Sequence, residues 1–373
     1  MTGPHGDAAT YFPPPESAGG WRYLTDPEEV RHLGGMDPAR LDLLQEDQEL
    51  LHGGDSWAIA IIRHGYLVRE CLTFNVLVPT RFDIWSGTKS FTGTAWGLLL
   101  DDSRQGRLPS GRQVDLDTPA YACIPEGYPL SDPHKEDITI RHLLTMTSGI
   151  PGEESGLRGA PTRTGDGPFE YALGRCPNRY GRSAATLVAA PGTRFEYSDA
   201  AFAHLALAFA HVAGRELHTY LAERVFAPIG MENVSWDVQG GSGCLGPHTN
   251  AHTGVHISAR ELARFGYLML RGGVWDGRPV IPAWWMELAT RTSQKLNPNY
   301  GYTWWVNTAG TQWPDLPTDA FALAGYRSNR CYVIPSLDLA VIILTPRMFD
   351  GPWVPRSHLD LQAAARVAAG AAG

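Results

Sequence analysis

Two apolar, β-branched segments at opposite ends of the chain constrain the fold most strongly. Residues 57–62 read WAIAII and residues 339–344 read LAVIIL, and each has the length of a strand. Between them the spacing of apolar residues predicts helices over 86–100, 138–146, 200–212, 217–225, 259–270 and 282–289. Strands at both ends with helices between them predict an α+β fold, in which an antiparallel sheet is assembled from both termini and flanked by helices.

The same segments predict three parts. Residues 1–55, rich in Pro and Gly, are expected to form an N-terminal arm with a first helix at 38–49. Residues 56–85 and 255–373 are expected to form the α/β sheet domain, with further strands at 66–70, 302–306 and 329–334 and a closing helix at 358–369. Residues 86–254 are expected to form a mostly helical insert domain with a long surface loop at 152–182. An active site is expected in the cleft between these two domains.

Charge and composition exclude several classes of function. The net charge is −8, without the basic footprint that nucleic-acid binding requires. No apolar run approaches the roughly 20 residues of a membrane span. The first residues lack the features of a signal peptide, and five widely spaced cysteines include no CxxC pair, so we expect a cytoplasmic protein without a disulfide framework. The oligomeric state stays open.

Ser86 and Lys89 form the first candidate for catalysis. They lie three residues apart in a predicted helix, and residues at this spacing share one face. A serine hydroxyl is a poor nucleophile until a neighbouring base takes its proton, and a buried lysine amine is one such base. The N-terminus of the helix would add N–H donors for a developing oxyanion.

Tyr197 is the second candidate, because it follows a Pro-Gly turn and precedes a predicted helix. At that position its phenol would face the cleft between the two domains. A phenol beside a lysine amine can share a proton with it as a coupled acid–base pair.

Five segments, taken in order, resemble those of the class C β-lactamase-related serine hydrolase family. They are SGTKSFTG (86–93), LLTMTSG (143–149), PGTRFEYSD (191–199), SARELARFG (258–266) and PSLDLAV (335–341). This family includes class C β-lactamases, D-alanyl-D-alanine carboxypeptidases, family VIII esterases, 6-aminohexanoate-dimer hydrolases and some acyltransferases. The resemblance covers about residues 51–344, and the segments at 12–16 and 152–182 look closest to the aminohexanoate-dimer-hydrolase branch.

The resemblance implies a β-lactamase/transpeptidase-like fold and a role for each candidate residue. Ser86 is similar to the acylated nucleophile, and Lys89 is similar to the general base or proton relay. Tyr197 is similar to the tyrosine of the Tyr-x-Asn element, which protonates the leaving group and helps to activate water. Lys89 and Tyr197 are assigned jointly, because which of them takes the first proton stays open.

Two positions depart from the family pattern. The Tyr-x-Asn element ends here in Asp199, which would either hold Lys89 charged or point elsewhere, and we include Asp199 among the substrate-binding candidates. The late-strand element, usually Lys-Thr-Gly or His-x-Gly, is represented only by Gly325 in the stretch 323–329.

Around this stretch we predict the remaining site residues. The backbone N–H groups of Ser86 and Tyr326 are the candidates for the oxyanion hole. Gly325 would allow close approach of the substrate, and Arg327 would bind a substrate carboxylate through its guanidinium. Trp313 is predicted to line the substrate pocket.

His248, His252 and His256 have the spacing of a three-histidine face, but Pro247 and Gly254 argue against a helix there, so no metal and no cofactor is expected. Three functions remain open. The first is a serine hydrolase that acts on a small ester or amide through an acyl-enzyme on Ser86. The second is an acyltransferase that passes the acyl group to an amine or alcohol. The third is a non-catalytic ligand-binding protein on the same fold. The natural substrate stays open in each case.

Overall fold

The structure, a computed structural model of the chain, describes residues 10–52, 57–73, 76–109, 111–155, 167–177, 181–240, 245–345 and 363–372. Its helices are α1 (Pro27–His32), α2 (Pro38–His52), α3 (Thr88–Arg104), α4 (Ile140–Leu144), α5 (Pro168–Ala172), α6 (Asp199–Ala213), α7 (Leu217–Leu221), α8 (Ala259–Leu270), α9 (Ala283–Ala289) and α10 (Ala363–Ala371). Its strands are β1 (Ala58–Arg63), β2 (Tyr66–Leu72), β3 (Phe82–Asp83), β4 (Val234–Trp236), β5 (Val238–Gln239), β6 (His248–Thr249), β7 (Val255–Ile257), β8 (Val274–Trp275), β9 (Arg278–Pro279), β10 (Trp305–Val306), β11 (Phe321–Ala324), β12 (Arg330–Ile334) and β13 (Leu339–Leu344).

The main sheet joins the two ends of the chain, as the sequence predicts. Its strand order is β10–β11–β12–β13–β1–β2, and each neighbouring pair is antiparallel. β1 pairs with β13 in the register Ala60↔Ile342. The predicted α+β fold is therefore confirmed, and the two apolar end segments are neighbours in the centre of the sheet.

Side chains alternate along these strands, so the sheet has two buried faces. Ala60, Ile62 and Ile342 belong to a large core that also contains residues of α3, α6 and α8, and we call it the front core. Ile59, Ile61 and Val341 belong to a second core with residues of α1, α2 and α10, which we call the back core. The nucleophile candidate lies on the front side, since α3 is part of the front core.

The helices predicted between the two end strands are present, but several local details differ. Of the closing helix predicted at 358–369, residues 358–362 lie outside the described residues, and α10 spans Ala363–Ala371. α3 begins at Thr88, after a 3-10 turn over Trp85–Gly87, so Ser86 lies in this turn and not in the first turn of the α-helix. The expected strand at 302–306 is reduced to β10, and β11 was not expected. Within the expected loop at 152–182 the structure has helix α5, which packs against α6, whereas residues 156–166 and 178–180 lie outside the described residues.

A small sheet with the strand order β3–β7–β4 includes β3, the strand that precedes the turn carrying Ser86. β3 pairs with β7 in the register Asp83↔His256, directly before the turn that carries Ser86. The loop before β7 is bound to α3, because Thr92 donates to the carbonyl of Ala251 at 2.7 Å and the N–H of Val255 donates to Thr88 at 3.1 Å.

The division of the chain into 1–55, 56–85 plus 255–373, and 86–254 stays a prediction. Within the described ranges, none of the helices has both the length and the apolar character that a membrane crossing requires.

Candidate active site

Ser86 is presented by a strained turn. Trp85, the residue before it, has φ of +50°, in the left-handed region that non-glycine residues rarely adopt. Asp83 accepts the N–H of Trp85 at 2.8 Å, and Gly87 donates to the carbonyl of Ile84 at 3.0 Å. These bonds hold a costly conformation, and such strain concentrates at functional sites.

Lys89 lies one turn further and is 1% exposed. Its Nζ donates to Ser86 Oγ at 2.9 Å, to Asp199 Oδ1 at 2.7 Å and to the carbonyl of His252 at 3.2 Å. An ammonium group has three N–H donors, so each donor has an acceptor. The amine is therefore held in place by the turn before α3, by α6 and by the loop before β7.

Tyr197 closes the same pocket from the start of α6, whose N-terminal cap is Ser198. The centre of its ring lies 4.9 Å from Lys89 Nζ. Burial, and then the charge of Asp199, raise the pKa of Tyr197 well above its usual range, against a hydrogen bond with Ser86 that lowers it. The structure thus brings Ser86, Lys89 and Tyr197 together.

Asp199 is the first residue of α6 and directs its carboxylate at Lys89. Of the two alternatives that the sequence left open, the structure has the one in which Asp199 contacts the lysine. Its side chain is 17% exposed, which makes it part of the pocket wall.

Gly325 brings the end of β11 against the nucleophile turn. A Cβ atom at this position would lie 1.9 Å from the carbonyl oxygen of Ile84, so no other residue fits. The next residue, Tyr326, packs the edge of its ring against Trp85 with 5.6 Å between ring centroids. Gly325 therefore allows two protein segments to approach each other closely. The sequence predicts a different role, the close approach of a substrate.

Arg327 and Trp313 have different positions. Arg327 follows Tyr326 with φ of +60°, and its guanidinium lies 5.5 Å from the centre of the Tyr326 ring. Trp313 is 3% exposed in the back core, against Tyr332 at 5.2 Å. The prediction that Trp313 lines the pocket is therefore corrected, because Trp313 lies on the face of the sheet opposite to Ser86.

Two aromatic residues near the site were missed. Trp305 stacks on Tyr197 with 6.2 Å between ring centroids, and Tyr300 packs its edge against Trp305 at 5.2 Å. Burial, and then the charges of Tyr197 and Asp199, raise the pKa of Tyr300 well above its usual range. The sequence carries one signal for Trp305, since it follows the core residue Trp304 and adjacent strand residues face opposite sides.

The three spaced histidines have separate surroundings. His248 contacts Glu216 at 2.8 Å, and His256 contacts Asp237 at 3.2 Å. His252 is buried beside Lys89, and burial is the main cause that lowers its pKa to about 4. In the parts of the chain that the structure describes, no group of three or more His, Cys, Asp or Glu side chains is arranged to hold a metal ion.

The arrangement places a serine hydroxyl within hydrogen-bond reach of a buried lysine amine, and these groups have the chemistry that nucleophilic acyl transfer uses. The family described as Beta-lactamase matches residues 56–365, so the chain belongs to the Beta-lactamase family.

Three individual proteins are similar to this chain. A structure provisionally described as a 6-aminohexanoate-dimer hydrolase from Bacillus anthracis has a TM-score of 0.62 and 20% identity, and the match covers 85% of this chain and 79% of that one. EstCE1, described as a hydrolase with promiscuous acyltransferase activity, has a TM-score of 0.63 and 17% identity, covering 88% and 98%. These two likenesses show the fold alone. The unguisins hydrolase of Aspergillus campestris is 27% identical over 206 residues, which are 54% of this chain and 33% of that protein. The chain therefore spans about a third of the length of this relative.

Proposed function

We propose that the chain is a serine hydrolase that cleaves a small ester or amide through an acyl-enzyme on Ser86. The distance of 2.9 Å between Lys89 Nζ and Ser86 Oγ, in a pocket closed by Tyr197, carries this proposal. A buried amine within hydrogen-bond reach of a serine hydroxyl is the arrangement that nucleophilic catalysis requires.

The proposed reaction has two stages. Ser86 Oγ gives its proton to the Lys89–Tyr197 pair as it attacks the acyl carbon. The N–H groups of Ser86 and Tyr326 stabilise the oxyanion. The hydroxyl of Tyr197, which is hydrogen-bonded to Ser86, delivers a proton to the leaving group. Water then attacks the acyl-enzyme, with the same groups acting in reverse.

The walls of the cleft support a substrate with an apolar acyl group. Trp85 and Trp305 are both half-buried, and they pack against Tyr326 and Tyr197 respectively. Aromatic walls with a few polar groups are typical of small-molecule sites. Arg327 stays a candidate for binding a substrate carboxylate.

An acyltransferase is the second candidate, and the description of EstCE1 favours it. Both activities use one acyl-enzyme and differ in whether water or an acceptor alcohol or amine attacks it. Product analysis with added hydroxylamine or small alcohols separates the two. An acyltransferase yields hydroxamate or a new ester at the expense of the free acid.

The test of the proposal is acylation of Ser86. With p-nitrophenyl butyrate we expect a burst of p-nitrophenol, followed by slower turnover, and a butyryl adduct on Ser86 in the intact mass. Ser86→Ala removes both the burst and the adduct without loss of the native circular dichroism spectrum, because Ser86 is only half-buried. If several activated esters give no adduct on the unchanged protein, the hydrolase and acyltransferase proposals fail and the ligand-binding alternative remains.

A further inference from the structure

The amine of Lys89 donates a hydrogen bond to the carboxylate of Asp199. Position 199 thus differs from the Asn of the Tyr-x-Asn element, whose side chain is a neutral amide. Asp199 Oδ1 lies 2.7 Å from Lys89 Nζ, and both side chains are largely buried. Lys89 touches Tyr197 through the face of its ring, whereas the hydroxyl of Tyr197 is hydrogen-bonded to Ser86. The shortest hydrogen bond that the amine of Lys89 donates is therefore the one to Asp199.

This arrangement limits which group can take the proton of Ser86. A lysine that donates three hydrogen bonds as an ammonium group has no lone pair for a proton. Ionisation of Tyr197 is opposed by burial and by the negative charge of Asp199. A base becomes available when Lys89 passes one proton to a neighbour, and Asp199 is the contacting residue with acceptor oxygens and no proton of its own when ionised.

We propose that Asp199 is a proton acceptor for Lys89, so that Ser86, Lys89 and Asp199 form a relay that activates the nucleophile. The inference rests on the proposed acyl-enzyme chemistry and assigns Asp199 a positioning role, since it acts through Lys89. Exchange of the proton turns a buried ion pair into a neutral pair, which a low-dielectric pocket favours.

The proposed relay moves protons between neighbouring side chains of this site. The proton of Lys89 moves to Asp199 Oδ1, and its electron pair stays on Nζ. That lone pair takes the proton of Ser86 while the Oγ electron pair forms the bond to the acyl carbon. When the tetrahedral intermediate collapses, the hydroxyl of Tyr197 gives its proton to the leaving group, and Lys89, whose Nζ lies beside the Tyr197 ring, then returns a proton to the phenolate. Asp199 then returns its proton to Lys89, so the pair ends as it began.

Four other titratable side chains, from several parts of the fold, lie close enough to Asp199 to interact with its charge. Its charge acts on Tyr171 of α5, on His252 before β7 and on Tyr300 before β10, in addition to Tyr197. Burial lowers the pKa of His252 to about 4 and raises the pKa of the three tyrosines. His252 and the three tyrosines are therefore uncharged near neutral pH. The ion pair among these groups is the one between Lys89 and Asp199.

The experiment measures the rate of the p-nitrophenol burst against pH in the unchanged protein, Asp199→Asn and Asp199→Glu. In the Asp199→Asn variant Lys89 has no carboxylate to accept its proton. The acidic limb is the part of the rate profile where the rate falls as the pH is lowered. We expect this limb to move upward by at least about 2 pH units in Asp199→Asn, because the amine must then lose its proton without a carboxylate to receive it. The burst rate at pH 7 should fall by about 100-fold. Asp199→Glu retains a carboxylate and should keep the acidic limb of the unchanged protein, with a rate within about tenfold.

A matched control is Glu153→Gln, which also removes a negative charge that acts on Tyr197. Glu153 is exposed, so solvent screens its charge, and the acidic limb should move by less than about 0.5 pH unit. If Asp199→Asn leaves the acidic limb in place, or moves it downward as the loss of a counter-charge alone would, Asp199 does not accept the proton and the relay is wrong. The relay is also wrong if Asp199→Asn is as fast as the unchanged protein at pH 7. In both cases the Ser86 adduct persists, whereas failure of the proposed function removes the adduct from every variant.

Discussion

At the residue scale, Gly325 shows how an absent side chain shapes the pocket. Its backbone is extended, so left-handed geometry is not the reason for glycine here. The reason is space, because a Cβ atom would lie 1.9 Å from the carbonyl oxygen of Ile84 and 3.2 Å from the nitrogen of Gly87. Both atoms are backbone atoms of the nucleophile turn and cannot rotate away.

We therefore expect Gly325→Ala to displace the turn that carries Ser86. Small displacements of a nucleophile are costly, so the burst rate should fall by about 100-fold. Gly246→Ala is the control, because a Cβ atom at Gly246 meets nothing within 4 Å. Burst rates of the two variants, measured beside the unchanged protein, test the expectation. Equal rates in Gly325→Ala and Gly246→Ala would show that the close approach has no role.

Residues of the site differ in how far the sequence could predict them. Ser86 and Lys89 are three apart, so their contact follows from the local geometry of the turn and α3. The turn and helix around Tyr197 make it a candidate, but its role beside Lys89 follows only from the resemblance to a family, since 108 residues separate the two. Trp313 was misplaced because it lies in an irregular segment, where no alternation indicates which face a side chain takes.

At the element scale, one buried lysine holds the segment that follows α5. Lys135 is fully buried, and its Nζ donates to Ser131 Oγ at 2.9 Å, to the carbonyl of Ala184 at 2.9 Å and to that of Leu173 at 3.3 Å. Burial lowers the pKa of Lys135 from 10.5 to about 8, against the charge of Asp132. A buried ammonium group therefore connects three separate stretches of the helical region.

This pKa shift predicts a pH dependence of stability. Between pH 8 and pH 10.5 the unfolded chain binds more protons at Lys135 than the folded chain does, so the free energy of unfolding rises with pH. The contribution is about 1.4 kcal/mol per pH unit. Urea unfolding between pH 8 and 10 should show this rise in the unchanged protein and a smaller rise in Lys135→Met.

The chain offers a matched control for this measurement. Lys295→Met removes an exposed lysine and should leave the slope of the unfolding free energy against pH as it is in the unchanged protein. If Lys135→Met and Lys295→Met have the same slope, the buried lysine does not cause the pH dependence.

At the scale of the whole molecule, the front core connects the sheet to the helices. Ile342 of β13 and Leu205 of α6 are both fully buried members of it. A shared core makes separate unfolding of the two regions costly, since either region would expose the apolar surface of the other.

We therefore expect one cooperative unfolding transition. Far-UV circular dichroism, which reports the helices, and tryptophan fluorescence should give the same urea midpoint. Leu205→Ala should lower the free energy of unfolding by about 2–5 kcal/mol and shift both probes together. Two separated transitions, or a shift in the helical signal alone, would contradict a common core.

The sequence by itself determined the fold class, most of the helices and the local Ser86–Lys89 pair. Hydrophobic periodicity and short-range geometry act within a few residues, so they can be read along the chain. Only the tertiary structure decided that Asp199 and the carbonyl of His252 share the amine of Lys89, that Gly325 packs on the nucleophile turn and that Trp313 lies behind the sheet. These contacts join residues that are distant in the chain, and their distances arise from the packing of the helices and the two-faced sheet.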